Sequence, residues 1–386
     1  MGSLESSFFL IFTGAALLAT VALQLRQPIL VAYIALGALL GPFGFGAVND
    51  TELLNQISRI GIAFLLFMLG LDLQPQSLMR LFGRMTLVTA GSSLAFALAG
   101  FAIALLFGFG TVESAVIGVT MMFSSTIIAL KLLPTTALHH KHTGELVIGV
   151  ALLQDVLAIL ALILLAGDPE SHDPGNLALT LVALPSLAII AGAAVRFVLV
   201  PLLLRFDRYK EYILLLAVGW CLGVAELAHA AGLSREIGAF IAGVALASSP
   251  IAFYIAEQLK TLRDFFLVMF FFTVGAGFNH GLLGDVTLAA IVLAAAMLVL
   301  KPVVFAALLK AVKEPPDVAW EIGFRLGHCS EFSLLLAYLA VSSGLLGETA
   351  SVLIQATTIA TMLVASYIVV FRYPSPIAVS DRLRRD

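Results

Sequence analysis

Residues 116–133 read VIGVTMMFSSTIIALKLL, and residues 320–340 read WEIGFRLGHCSEFSLLLAYLA. Both are apolar runs of helical length, and both are interrupted at mid-length by polar or small residues. Ser124, Ser125 and Thr126 interrupt the first; Gly327, His328, Cys329, Ser330, Glu331 and Ser333 interrupt the second. Alone, a Ser-Ser-Thr step in an apolar helix reads as packing or back-bonding to the helix. Its recurrence about 206 residues later, now with a glutamate, favours a pair of helices unwound at matching positions, their free backbone groups facing a cavity.

The repetition extends beyond that pair. AYIALGALLGP (32–42) resembles AFIAGVALASSP (239–250) at an offset of 207, and RIGIAFLLFMLGLDL (59–73) resembles RDFFLVMFFFTVGAGF (263–278), with Gly70 meeting Gly275 at 205. Apolar segments resemble one another by composition, but three matches in order at nearly one offset outweigh that explanation.

Composition sets the class. The 386 residues are 61% hydrophobic and 12% charged, with a mean hydropathy of +1.06. Soluble domains carry about 25% charged residues. An all-α polytopic membrane protein follows, with spans expected at 6–23, 28–43, 57–71, 83–108, 112–131, 144–167, 175–204, 211–230, 235–248, 257–275, 285–310, 319–344 and 348–372. Thirteen spans put the paired segments seven apart, so the two copies cross in opposite directions. This is the inverted repeat of many secondary transporters. The expected division is a first repeat over 1–167, a linker helix over 168–210, and a second repeat with a short tail over 211–386. The N-terminal residues MGSLESSFF show neither a basic n-region nor a cleavage site for a signal peptide. Two cysteines in apolar segments suggest no disulfide framework, and a net charge of −3 gives no basic surface for nucleic acid.

Basic residues set the expected orientation. With the N-terminus outside, 16 of the 21 Lys and Arg fall in cytoplasmic segments, only Arg59 and Arg235 fall outside, and Arg196, Lys301 and Arg325 fall within spans. The C-terminus is then cytoplasmic, in a cell inner or plasma membrane. The acidic stretch GDPESHD (167–173) reads as an outside loop.

Residues 152–160, LLQDVLAIL, place Gln154 and Asp155 inside an otherwise apolar segment. A carboxylate at mid-helix costs roughly 2.5–3.5 kcal/mol on insertion scales, so it needs a function. Burial favours the neutral acid and a bound cation favours the carboxylate, so proton and cation compete for one group. Gln154 offers a neutral oxygen nearby, or a helix–helix hydrogen bond. Where two broken helices cross, half-helix ends of like sign converge, and Lys301 and Glu331 are buried residues of each sign that could compensate them. Lys301 could instead snorkel to the interface or partner Asp155, and Arg325 could pair with Glu331 across the break. Arg196 and Glu226 read as packing or interfacial charges. HHKH (139–142) reads as a solvated loop, or as a sensor of cytoplasmic pH. Neither a nucleophile–base pair nor metal-ligand spacing points to an enzyme.

Gln154-Asp155, SST at 124–126, EIGAFIAGVALASS at 236–249, Lys301 and GHCSEFSLLL at 327–336 resemble the monovalent cation:proton antiporter-2 family, particularly its Kef-type K⁺/H⁺ branch. The resemblance covers nearly the whole chain. It implies a homodimer in the membrane lipid, with a dimer-forming scaffold and a mobile core holding two crossed, broken helices. It implies exchange of K⁺ for H⁺ at Asp155 by alternating access, without a cofactor. Gln154, Ser124, Ser125 and Thr126 would line the site for K⁺ (or Na⁺), Lys301 and Glu331 would compensate the helix ends, and Ser330 and Arg325 would support it. In that family a Gln before the Asp goes with K⁺ exchangers, and a second Asp with electrogenic Na⁺/H⁺ members. A Na⁺/H⁺ antiporter of the same fold, or a channel-like protein without obligatory proton coupling, are the alternatives. Kef systems carry a cytosolic nucleotide-binding regulatory domain, either removed or lacking here, and the loop 249–266 lacks the His- and acid-rich pattern associated with glutathione gating.

Overall fold

The computed structural model describes residues 4–72, 84–133, 142–165, 174–206, 208–249 and 252–375. Among these, every segment expected to span is helical. The helices are α1 (Leu4–Gln24), α2 (Ile29–Leu40), α3 (Thr51–Asp72), α4 (Arg84–Leu106), α5 (Thr111–Met121), α6 (Thr126–Lys131), α7 (His142–Leu165) and α8 (Pro174–Ala194). A π turn, Val195–Leu199, leads to α9 (Val200–Arg205), followed by α10 (Lys210–Ala230), α11 (Arg235–Ala247) and α12 (Ala252–Ala276). A 3-10 turn, His280–Leu282, precedes α13 (Leu283–Ala311), α14 (Pro316–Arg325), α15 (Glu331–Ser342) and α16 (Glu348–Arg372). Among the described residues, seven helical segments are long and apolar enough to cross a bilayer singly. The expected fifth span is α5 and α6 separated by a break, and the twelfth is α14 and α15 separated by another.

The third and tenth spans run further than hydropathy indicates. α3 begins at Thr51 rather than 57, and α12 at Ala252 rather than 257. The opening of α3 is polar but still helical, with Gln56 bonding Glu52, whereas α12 opens on the apolar turn AFYI and carries its Glu257–Lys260 pair just after it. Such i,i+3 and i,i+4 pairs support exposed helix that a hydropathy window discards.

The outward surface is apolar. Leu17, Leu87, Leu94, Leu98, Leu215, Ile291 and Val299 are exposed, while Ser92, Ser114, Thr120, Thr357 and Thr361 are buried. That inversion of the soluble pattern is what a lipid solvent dictates, and it makes this an integral, multi-pass membrane protein.

The chain divides into two compact units. One holds α1, α2, α4 to α7, the end of α12 from Val274, and α13 to α16; the other holds α3, α8 to α11 and α12 up to Thr273. Each unit contains one copy of the same glycine contact. Gly275 of α12 lies directly against the Ile34 carbonyl of α2. In the other unit Gly70 of α3 meets α11, where a Cβ would lie 2.6 Å from the Phe240 carbonyl. Gly70 and Gly275 are the residues matched by the repeat, and so are the helices they press against. The close backbone approach, of the small-residue kind common between membrane helices, is thus duplicated with the chain.

Candidate ion-binding site

The first unit brings the two breaks together. After α5 the chain leaves helical geometry at 122–125, and after α14 at 326–330. Ser124 Oγ donates to the Leu326 carbonyl (2.8 Å), and Ser125 N–H lies 3.3 Å from His328 Nδ1. Ser333 Oγ donates to the Thr120 carbonyl (2.5 Å). The breaks therefore cross, and each supplies polar groups to the other. Each break also caps the helix that follows it. Ser125 Oγ accepts from Ile128 N–H (3.1 Å), and Ser330 accepts from Phe332 N–H (3.2 Å) with Glu331 in the first turn.

Lys301 sits where the ends of the preceding halves converge. It is fully buried in α13, and its Nζ donates to the Phe123 carbonyl (2.6 Å) and the His328 carbonyl (3.0 Å), with Ser124 Oγ at 3.4 Å. Three N–H groups thus meet three oxygens, two of them carbonyls at half-helix C-termini, where the dipole is negative. The Phe96 ring of α4 packs 5.2 Å from the ammonium. Snorkelling, one expectation for this lysine, does not occur. Gly323 admits α14 to this point: a Cβ there would lie 2.6 Å from the Pro302 carbonyl.

Gln154 and Asp155 face the first break from α7, and both are buried. Gln154 spans the break like a staple. Its Oε1 accepts from Ser124 N–H (3.1 Å) and its Nε2 donates to the Met122 carbonyl (3.1 Å). Thr126 Oγ1 donates toward the Asp155 carboxylate, 3.2 Å from Oδ2 and 3.4 Å from Oδ1. Of the three residues in the SST step, Thr126 is the one whose hydroxyl lies on Asp155. The hydroxyls of Ser124 and Ser125 serve the crossing and the cap.

Arg325 corrects one expectation. It pairs with Glu321, one turn earlier on α14 (Nη2–Oε1 2.7 Å), not with Glu331 across the break. Fully buried, it also donates to the carbonyls of Leu132 (2.8 Å) and Pro374 (2.7 Å). It ties the residue after α6 to the chain leaving α16. Ser330 Oγ lies 3.3 Å from Glu331 Oε2. Glu226 pairs with Arg235 at 2.9 Å on an exposed surface, as an interfacial charge should. His142 pairs with Glu314 (2.8 Å); the rest of HHKH and all of GDPESHD lie outside the described residues. Among the described residues no cluster of three or more His, Cys, Asp and Glu side chains is placed to hold a metal ion.

One residue went unremarked in the sequence. Thr361 of α16 accepts from Cys329 N–H (3.1 Å), as Gln154 accepts from Ser124 N–H in the other half. The repeat offset of 206 carries Asp155 onto Thr361 and would have located it.

Residues 10–371 match the family model for the sodium/hydrogen exchanger, transmembrane. The chain belongs to the sodium/hydrogen exchanger family. It is similar to the glutathione-regulated potassium-efflux system protein KefC of Cronobacter sakazakii, 32% identical over 340 residues covering 85% of this chain and 54% of that protein. The KefC of an Enterobacter species is 30% identical over 339 residues, with the same coverage. The chain therefore spans about half the length of these curated relatives. The fold matches the sodium proton antiporter MjNhaP1 of Methanocaldococcus jannaschii at pH 8, with a TM-score of 0.68 over 95% of this chain and 96% of that one, at 16% identity. The family assignment agrees with the resemblance drawn from the QD, SST and GHCSEF motifs.

Proposed function

We propose that this exchanger-family chain is the transport unit of a monovalent cation/proton antiporter that exchanges K⁺ for H⁺, with Asp155 as their shared seat. The observation that carries the reading is the buried Asp155 carboxylate beside a helix break whose backbone is held open by Gln154 and Lys301. A carboxylate holding a proton has lost the negative charge a cation needs, and one holding a cation resists protonation. Occupancy by one ion excludes the other, so passage of one is tied to counter-passage of the other. Thr126 Oγ1 positions the carboxylate and offers an oxygen to the cation. Gln154 beside it is neutral, so one acid carries one charge in each direction, which supports electroneutral exchange. The KefC relatives are named as potassium-efflux proteins, which favours K⁺ over Na⁺. The chain acts as a homodimer, N-terminus outside, without a cofactor, and a cytosolic regulatory domain accounts for the extra length of the relatives.

Proteoliposomes with an imposed pH gradient test this directly, with K⁺, Na⁺, Li⁺ and Rb⁺ compared. Wild type should exchange K⁺ best, with a rate indifferent to imposed voltage. Asp155→Asn should fall to the background of empty liposomes while eluting as a folded species. Retained exchange in Asp155→Asn would remove Asp155 as the carrier. Cation flux without counter-flux of protons would make the protein a channel.

A further inference from the structure

Arg196 has no place in the exchange site. It belongs to the second compact unit, on the π turn Val195–Leu199, where Val200 N–H bonds the Val195 carbonyl five residues back. Pro201 explains the turn: it lacks an N–H, and its ring crowds the carbonyl four residues earlier. Widening to π geometry relieves that clash, and single π turns of this kind are frequent at functional sites. The turn presents Arg196 to a groove of about 580 Å³, shared with Gly192, Ala193, Val200, Ser248 and Ser249.

Four observations describe what the groove fits. Arg196 is exposed and forms no ion pair among the described residues, and none of the groove's lining residues is acidic. Ser249 is 9% exposed, and its buried Oγ has no hydrogen-bond partner among the described residues. Gly192 leaves open space where a Cβ would stand. Around the groove Ile189, Ile190, Phe197 and Leu204 are exposed, an apolar flank for acyl chains.

Depth is compatible with a headgroup. Arg196 precedes Arg205 by nine residues, about 13 Å of helix rise, and a long basic side chain reaches toward the interface. α11 has 13 residues, about 20 Å, shorter than the roughly 30 Å hydrocarbon layer, so Ser248 and Ser249 bring polar surface below the usual interface level. Arg205, Arg208 and Lys210 follow in sequence and add the positive field that gathers anionic lipid.

We propose that this groove binds the phosphate of an anionic phospholipid, held by the Arg196 guanidinium and the Ser249 hydroxyl with its chains along the Ile189–Phe197 flank. Guanidinium–phosphate pairs are strong and directional, and the Arg196 guanidinium, whose recorded contact is the Phe197 ring at 6.0 Å, supplies the donors together with the Ser249 hydroxyl.

Native mass spectrometry of the full chain in detergent tests it, with phosphatidylglycerol and phosphatidylcholine supplied at equal concentration. Wild type should retain one phosphatidylglycerol at least tenfold better than phosphatidylcholine. Arg196→Gln should reduce that preference about tenfold, and Arg196→Lys should keep part of it. Gly192→Leu fills the groove without touching the charge and should abolish the bound lipid. Unchanged preference in Arg196→Gln would overturn the proposal, as would lipid retained by Gly192→Leu. Should Arg196→Gln fail to fold, Gly192→Leu and Arg196→Lys decide the matter. Inorganic phosphate competing as well as the lipid would make this a soluble-anion site and overturn the lipid assignment. The readout is binding, so it is independent of the exchange reading.

Discussion

Replacing Lys301 with methionine tests whether the crossing is held by one buried cation. Methionine keeps the volume and the flexible stem but removes the ammonium. The Phe123 and His328 carbonyls, bonded at 2.6 and 3.0 Å, would then lack that donor in a buried site. A buried polar group left unsatisfied costs roughly 1–3 kcal/mol, so the pair costs about 2–6 kcal/mol. Each carbonyl also ends a half-helix carrying about half a negative charge. Two such charges at about 5 Å repel by roughly 1 kcal/mol at an effective dielectric of 20. Opposing this, removing a buried charge recovers desolvation energy, the reason apolar replacements of buried ions are sometimes stabilising. Here the carbonyl penalties win, because methionine replaces only one side of each bond and supplies no donor to the other. A net loss of about 3 kcal/mol is expected. At an unfolding entropy of roughly 2.1 cal/mol/K per residue, a chain of 386 residues should shift its melting temperature by about 4 °C. Heating wild type and Lys301→Met side by side in detergent, then measuring the folded fraction by fluorescence-detected size exclusion, gives the shift at a fixed scan rate. Lys301→Met melting at or above wild type would refute the reasoning. A stable but transport-dead variant would move the lysine's role from holding the breaks to the exchange itself.

Gln154→Ala deletes both bonds across the first break, to Ser124 N–H and the Met122 carbonyl. It should lower stability by about 1–3 kcal/mol and reduce K⁺ exchange while leaving Asp155 able to bind a proton; a pH-gradient assay with wild-type kinetics would contradict this. Gly243→Val places a side chain on the Phe67 carbonyl and Leu71 N–H of the facing helix. Backbone cannot yield as a side-chain tip can, so the loss should reach about 3 kcal/mol or more, read as a collapsed size-exclusion peak; a monodisperse peak at wild-type yield would show that α3 and α11 separate freely.

The spans, the breaks and the duplication are legible because each is a property of a sequence window: apolar length, a polar interruption, a fixed offset. What sequence leaves open is partner choice across space. Arg325 has two candidate glutamates, and separation alone favours neither until the break is located. Once the helix is seen to end at Arg325, Glu321 lies on the same helical face one turn back, while Glu331 belongs to the next helix. Lys301 is similar. An isolated lysine in an apolar run predicts nothing about the two carbonyls it will meet, because backbone oxygens at a break carry no sequence signature. Gln154 was legible as polar and buried, but its use as a staple depends on which atoms the unwound backbone turns toward α7.

The duplication also explains why this scaffold offers unlike half-sites. In the first half the break's backbone is held by Gln154, and the next residue is Asp155, whose carboxylate receives Thr126. In the second half Thr361 does the holding, Ala360 precedes it, and the acid has moved onto the broken helix itself as Glu331, beside its Ser330 cap. An acid in the first turn of its own helix complements that helix's positive end, a role suited to fixed charge. An acid on the unbroken neighbour α7 can instead change occupancy while Gln154 and Lys301 hold the backbone. Symmetric acids on α7 and α16 would make two seats, and two seats would let a cation and a proton be bound together. Under the proposed exchange that would break one-for-one coupling. The substitution of threonine for aspartate at the second position is therefore consistent with a duplicated scaffold that keeps its exchange chemistry single.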